Sequence, residues 1–438
     1  MSSAPAVRER GAAAKVAARR LAAVPARTKD GALRAFADRL EADGATILAE
    51  NGKDASEARA LVERGEMDRP LLDRLLLDEA KLKGMADGVR AVASLPDPVG
   101  RLLGKTLLDD GLVLEKVTCP LGVIAVIFES RPDAVAQIAA LTLKSGNAAL
   151  LKGGRESARS TAAIFDSLRR TLPAFPGIPA DAVQLLSSRE EVDELLSLAG
   201  EVDLVIPRGG NDLVRSVLAR TRIPVLGHAA GVCHVYVDKA AEASKAVAIV
   251  VDAKTTYPAA CNAVETVLIH RDVAASLLPP LVAALREKGV EVRACAGTRA
   301  LAPELGLVDA EESDFGREFG ALVLAVKTVG SLDEAIDHVN RFGSKHTDAI
   351  VTEDPAAAER FLSEVDAAGV YVNASTRFAD GFRYGFGAEV GVSTSKLHAR
   401  GPVGLEGLVT YKYRLRGDGH VVSNYTGPGA RPFRHLRL

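Results

Sequence analysis

The chain changes its hydrophobic rhythm twice. Through the first hundred residues apolar positions recur at helical spacing: Val7, Ala14, Ala18 and Leu21 can share one face, and stretches 30–43 and 71–93 repeat the pattern between polar loops, with Pro96-Asp97-Pro98 as a stop. Residues 106–118 flank Asp109-Asp110-Gly111, which predicts a β-hairpin on an Asp-Gly turn. From Pro120 short apolar runs alternate with amphipathic segments. Strands are expected over 122–128, 148–151, 183–186, 203–206 and 223–226. Helices are expected from the Arg131-Pro132-Asp133 turn to Lys144 and over 157–171, 189–199 and 211–220. Such alternation predicts a doubly wound parallel sheet, which takes ligands at the carboxyl ends of its strands.

An alanine- and valine-rich helix over 240–253 opens a second α/β block, so the boundary falls near Ala240. Its strands are expected over 264–269, 290–292, 321–326, 349–351 and 370–373, and its helices over 273–288, 332–342 and 355–367. Residues 381–391, crowded with glycine and aromatic side chains, suggest a loop packed over a site. Residues 407–415 read as a strand able to pair across a subunit interface, and disorder is open from Arg416 onward.

A length of 438 residues exceeds one ordinary core and implies two or three domains, although the two α/β blocks show no sequence repeat. The net charge of −2 offers no bulk attraction for nucleic acid or an anionic membrane as partner. No apolar run approaches the roughly 20 residues that span a bilayer. The N-terminal MSSAPAVRERGAAAKVAARRLAAVP has a transit-peptide composition, but its spacing favours an ordinary amphipathic helix and a cytoplasmic protein. Four scattered cysteines without a CxxC pair fit a reducing compartment and neither a disulfide framework nor a metal site.

The chemistry centres on KTTYPAACNAVETVLIH, residues 254–270. Cys261 sits in a loop between a helix and a buried strand, with small residues on both sides that leave the sulfur accessible, a suitable mount for a nucleophile. A cysteine between alanines is ordinarily a packing residue, the reading kept for Cys119, Cys233 and Cys295. A thiolate attacking a carbonyl also needs donors for the oxyanion, and the backbone N–H of Cys261 or Asn262 is the candidate.

This stretch resembles the active-site signature of the γ-glutamyl phosphate reductases, a branch of the aldehyde dehydrogenase superfamily. FESRPDA (128–134), KSGNAALLKGG (144–154), HTDAIVT (346–352), STSKLHARGPVGLEGL (393–408) and TYKY (410–413) carry the resemblance over nearly the whole chain. It implies an α/β fold of aldehyde dehydrogenase type: a Rossmann-like cofactor domain over 1–239, a catalytic domain over 240–400 and a C-terminal oligomerisation segment over 401–438, which the 106–118 hairpin joins. The absence of GxGxxG after the first strand is compatible with that family, whose nucleotide site lacks the loop. The implied reaction is reduction of L-glutamate 5-phosphate by NADPH to glutamate 5-semialdehyde and phosphate, in proline biosynthesis. Implied partners are further copies of the chain and glutamate 5-kinase.

Residue by residue, the resemblance makes Cys261 the nucleophile and puts Arg131 where ordinary aldehyde dehydrogenases carry an oxyanion-holding asparagine. A guanidinium there would also attract phosphate or carboxylate, unless Arg131 simply faces water at its helix start. Lys152 is placed at the adenosine ribose and Arg155 at a 2′-phosphate, and Arg208-Gly209-Gly210 offers a strand end for pyrophosphate. Each could instead be a turn residue. Glu318 corresponds to the glutamate on the nicotinamide ribose, although Ala321 replaces the family's usual proline. His228, Ser375 and Arg377 are candidates for the amino-acid end of the substrate, with a solvated histidine or a plain loop as the alternative. Where hydrolytic relatives carry ELGG, with a water-activating glutamate, this chain reads VLGHAAG at 225–231. A thioester at Cys261 should therefore wait for phosphate. A different NAD-dependent aldehyde dehydrogenase, a redox-free cysteine acyltransferase and a binding module are the competing readings.

Overall fold

Alternating strands and helices build two separate parallel sheets. The computed structural model describes residues 6–188, 190–227 and 230–438. Two compact units result: one holds the described residues up to Leu226 together with Phe386–Gly391 and Val403–Leu438, the other Gly227–Gly385 and Val392–Pro402. Among the described residues, no helix is long and apolar enough to cross a membrane.

The first unit opens with five helices, α1 (Val7–Leu21), α2 (Ala26–Ala42), α3 (Gly44–Glu63), α4 (Arg69–Leu75) and α5 (Glu79–Ser94). The face predicted for α1 is the buried one, and α5 starts where the Asp78 carboxylate accepts the Lys81 N–H at 2.7 Å. Two buried lysines tie this layer down. The Lys29 ammonium meets Asp97 at 2.6 Å and the Lys144 carbonyl at 2.9 Å, and Lys144 reaches Asp30 and, at 3.0 Å, the Ala93 carbonyl. The hairpin follows as β1 (Leu102–Asp109) and β2 (Leu112–Pro120), its two-residue turn closed by Gly111 at φ +73°.

Next come β3 (Val123–Phe128), α6 (Ala134–Lys144), β4 (Ala148–Lys152), α7 (Ala158–Thr171), β5 (Val183–Leu186), α8 (Glu190–Ser197), β6 (Leu204–Arg208) and α9 (Asn211–Arg220). The sheet is parallel in the order β5-β4-β3-β6. The strand expected over 223–226 is reduced to one bridge, Val205 to Val225, because Pro224 has no N–H to continue a ladder.

The second unit runs through β7 (Cys233–Val237), α10 (Ala243–Thr255), β8 (Val264–His270), α11 (Arg271–Glu287), β9 (Glu291–Ala294), α12 (Ala296–Leu301), β10 (Val308–Asp309) and β11 (Val323–Val329). It continues with α13 (Leu332–Phe342), β12 (Thr347–Val351), α14 (Pro355–Glu364), β13 (Gly369–Val372) and the short antiparallel pair β14 (Val392–Ser393) and β15 (Gly401–Pro402). Seven parallel strands lie in the order β10-β9-β11-β8-β7-β12-β13. The strand β7 had no counterpart in the hydrophobic pattern, and it moves the division from Ala240 to Leu226/Gly227. Its sequence CHVYV reads as mixed, yet every residue is buried, and the His234 N–H is satisfied by Asp348 at 2.8 Å.

The tail returns to the first unit. There β16 (Val409–Arg416) pairs with β2 and forms one edge of the sheet, and β17 (Leu436–Arg437) pairs with β1 at the other. Residues beyond Arg416 are held rather than disordered: Tyr425 donates to Asp109 at 2.9 Å and stacks on Phe433 with centroids 4.5 Å apart. Leu102, Leu103, Tyr411, Tyr413 and Leu415 of this four-stranded sheet are exposed.

In the second unit Phe361 of α14 is fully buried and stacks on Tyr236 of β7. Phe361→Ala is expected to cost about 3–5 kcal/mol, read as a lower urea midpoint at unchanged slope.

Candidate active site

Cys261 is delivered by a turn that two elements constrain. Thr255 and Thr256 at the end of α10 bond back to the carbonyls of Val251 and Asp252, which helps end the helix. The chain then turns through Tyr257–Ala260, with Ala260 N–H on Tyr257 O at 3.1 Å and Ala263 N–H on Ala260 O at 2.9 Å, before β8 begins. Behind this turn passes Gly231. A Cβ there would lie 2.1 Å from the Cys261 carbonyl oxygen and 2.5 Å from its Cα, so only glycine lets the segments approach this closely. Cys233 donates its thiol to the same carbonyl at 3.3 Å.

The Cys261 side chain is partly exposed, whereas Cys233 is buried and its thiol pKa is pushed well up by that burial. Among the described residues, the N–H groups of Cys261 and Asn262 donate to no protein acceptor. The Asn262 side chain is engaged: it donates to Ala379 O at 2.8 Å and accepts a close bond from Arg377, while its carbonyl takes the Thr376 hydroxyl at 2.7 Å. Asn262 can therefore offer its backbone N–H to chemistry but not its amide.

Arg377 stands beside this turn, its guanidinium half-buried and 5.9 Å from the Tyr257 ring. Burial, with Arg383 second, lowers its pKa, and Cys261 is among the neighbours that raise it. Ser375 caps the same short turn by accepting the Arg377 N–H at 3.3 Å. Cys261, Asn262, Ser375 and Arg377 are thus brought together within one unit. His228 lies outside the described residues.

Two charged residues missed in the sequence flank the Cys261 turn. Lys254 and Glu265 are fully buried and meet at 2.6 Å, and the second Glu265 oxygen accepts the Gly320 N–H at 3.2 Å. Burial pushes Glu265 up to about 7 and lowers Lys254, each against the pull of the other. The available signal was a carboxylate inside VETVLIH, a strand buried along its whole length. Glu318, two residues before Gly320, is half-buried and acts electrostatically on both members of the pair.

In the first unit the remaining candidates gather at the carboxyl ends of β4, β3 and β6, which are adjacent. Lys152 ends β4, buried, with its amine on the Gly153 carbonyl, and burial lowers its pKa. Arg155 follows, exposed. After β3, Ser130 takes φ +48°, held there by its N–H and hydroxyl on Glu156 at 2.6 and 2.9 Å. That turn presents half-buried Arg131. Arg208 ends β6 and pairs with Glu389 at 3.7 Å. Glu129 accepts the Gly210 N–H at 3.1 Å and lies where a Cβ of Gly209 would be, so a protein carboxylate occupies the amide that a pyrophosphate would use. An amine and an exposed guanidinium above strand ends fit a ribose and a phosphate, and the Glu318 carboxylate fits a ribose diol. No group of three or more His, Cys, Asp or Glu residues able to hold a metal occurs among the described residues.

A partly exposed cysteine on the turn before a strand of a parallel α/β sheet fits the class that the sequence match shows: the chain belongs to the aldehyde dehydrogenase family, whose pattern it matches over residues 77–295 and 308–408. This is a family of oxidoreductases that use a nicotinamide nucleotide. Within it the chain falls among the gamma-glutamyl phosphate reductases. It is 56% identical over 422 residues, 96% of this chain and 92% of the relative, to the gamma-glutamyl phosphate reductase of Synechococcus sp. (strain JA-2-3B'a(2-13)). It is 52% identical over 425 residues, 97% of this chain and 96% of the relative, to gamma-glutamyl phosphate reductase 1 of Synechocystis sp. (strain ATCC 27184 / PCC 6803 / Kazusa). The crystal structure of gamma-glutamyl phosphate reductase from Thermotoga maritima superposes with a TM-score of 0.90 at 40% identity, covering 95% of this chain and all of that one.

Because Gly231 abuts the Cys261 backbone, Gly231→Ala is expected to shift the sulfur and lower turnover about a hundredfold. Turnover per folded molecule, measured alongside the melting temperature, checks this. A parent-like rate would show that the loop yields without consequence.

Proposed function

We propose that the chain reduces L-glutamate 5-phosphate to L-glutamate 5-semialdehyde and phosphate with NADPH, through a thioester on Cys261, as the second step of proline biosynthesis from glutamate. The observation that carries this reading is the presentation of Cys261 on a turn of small residues, in a chain whose 225–231 segment offers no carboxylate to activate water. The names of relatives that match nearly its whole length supply the substrate.

The Cys261 thiolate attacks the acyl carbon, and the oxyanion that forms is met by the N–H groups of Cys261 and Asn262. Collapse breaks the bond from carbon to phosphate oxygen, and phosphate leaves with Arg131 as its counter-charge. NADPH, when bound, supplies the hydride that takes the thioester to the aldehyde level. Expulsion of the Cys261 sulfur then frees the semialdehyde. Arg377 is the proposed partner of the substrate carboxylate, with Ser375 and His228 at the same end. For the nucleotide, Lys152 would hold the adenosine ribose, Arg155 the 2′-phosphate and Glu318 the nicotinamide ribose. Arg208, Gly209 and Gly210 are proposed for the pyrophosphate, which must share that strand end with Glu129. We place the reaction in the cytoplasm and read the enzyme as a homo-oligomer, with the exposed apolar residues of the four-stranded sheet as the proposed contact and glutamate 5-kinase as a candidate partner because the substrate is unstable.

In the reverse direction the thioester can leave only by attack of an added nucleophile. NADPH formation from glutamate semialdehyde should therefore require phosphate or arsenate, stop near about one equivalent per active site without them, and vanish in Cys261→Ser. Steady turnover to free glutamate in phosphate-free buffer would return the chain to the hydrolytic branch of its family. For the cofactor, Arg155→Glu should narrow the preference for NADPH over NADH by about tenfold, the worth of one exposed charge-assisted contact. Comparing kcat/KM for the two nucleotides checks this, and an unchanged ratio would place Arg155 away from the phosphate.

A further inference from the structure

The buried pair in the second unit links three segments of chain. Lys254 closes α10, the helix that leads into the Cys261 turn, and Glu265 lies at the start of β8, the strand that leads out of it. Through its second oxygen Glu265 accepts the N–H of Gly320, in a turn at φ +60° directly after Glu318 and Phe319. The Phe319 ring stands 6.0 Å from the Lys254 ammonium. One carboxylate therefore holds the strand side of the nucleophile turn against the Glu318 loop, and one ammonium holds its helix side against that carboxylate.

Stability alone is a poor account of this arrangement. A buried ion pair loses so much hydration that well-packed apolar residues in its place are often neutral or more stable. What two hydrophobic side chains cannot supply is the acceptor that fixes the Gly320 amide.

We propose that Lys254 and Glu265 are positioning residues, a buried clamp that keeps the Glu318 loop in one register with the turn carrying Cys261. The proposal rests on the reading of Glu318 as the nucleotide-ribose carboxylate. Neither residue touches the reacting atoms; each acts through the backbone it holds.

The decisive variant is Lys254→Met/Glu265→Leu, which removes both charges and the Gly320 acceptor while filling the space. Melting temperature, NADPH affinity by nucleotide fluorescence, and the rate of Cys261 alkylation by iodoacetamide, followed by peptide mass, are measured together. The expected result is a melting temperature at or above the parent's, NADPH binding about tenfold weaker from loss of one fixed contact, and faster alkylation of a loosened turn. Parent-like affinity and alkylation would make the pair merely structural and overturn the proposal. Should the double variant not fold, Glu265→Asp decides in its place, since it keeps both charges but draws the carboxylate away from Gly320, and parent-like behaviour there overturns the proposal equally. Glu318→Gln separates this from failure of the underlying reading. If it binds NADPH like the parent, Glu318 is not the ribose ligand, and the clamp then stands or falls on the alkylation rate.

Discussion

An amine and a carboxyl group lie side by side in the second unit with no exposure to solvent, where burial works against the charged form of each and the neighbour at hydrogen-bond distance works for it. Their position matters more than their strength. A parallel sheet is covered on both faces, so its strands must be apolar nearly throughout, and a carboxylate inside β8 is tolerated only where a cation and a backbone amide meet it. Because Lys254 and Glu265 sit on opposite sides of the Cys261 turn, the same requirement that satisfies Glu265 closes the neck of that turn. Gly231 and Cys233 then hold the Cys261 backbone, while the residue stays partly exposed.

The first unit meets a related constraint with different groups. Chemistry in a parallel sheet collects where the strands end, and there the backbone must turn sharply from strand to helix. After β3 the turn requires a left-handed residue that is not glycine, and Ser130 accepts it because Glu156 takes both its N–H and its hydroxyl. Glu129, its neighbour, reaches the Gly210 amide at the start of α9. The two carboxylates brace the turn that carries Arg131, so this cation stands on acidic supports.

A β-layer completes the first unit. The returning tail adds a strand on each side of the hairpin: β16 lies along the length of β2, and the two-residue β17 meets β1 at Thr106 and Leu107. The outer strand β16 exposes Tyr411, Tyr413 and Leu415 on one face.

Elements whose own residues carry the period were legible in the sequence. The hairpin, the strands β3 to β6, the helices α9 and α13 and the nucleophile turn all follow from local apolar spacing, turn residues and small side chains. The partly exposed setting of Cys261 on that turn was legible for the same reason, since small neighbours flank it. Three things were decided only by tertiary structure. The strand β7 forms because its mixed residues enter the centre of a sheet where Asp348 satisfies the His234 amide, while Pro224 keeps the 223–226 run from becoming a strand although it is apolar. The tail from Arg416 is ordered by partners more than three hundred positions earlier, which no local pattern encodes. Lys254 and Glu265 read as isolated charges until helix and strand bring them together. Periodicity reports which face of an element is buried, but the partner of a buried polar group is chosen by the fold, and the hydrogen bonds that define this site are of that kind.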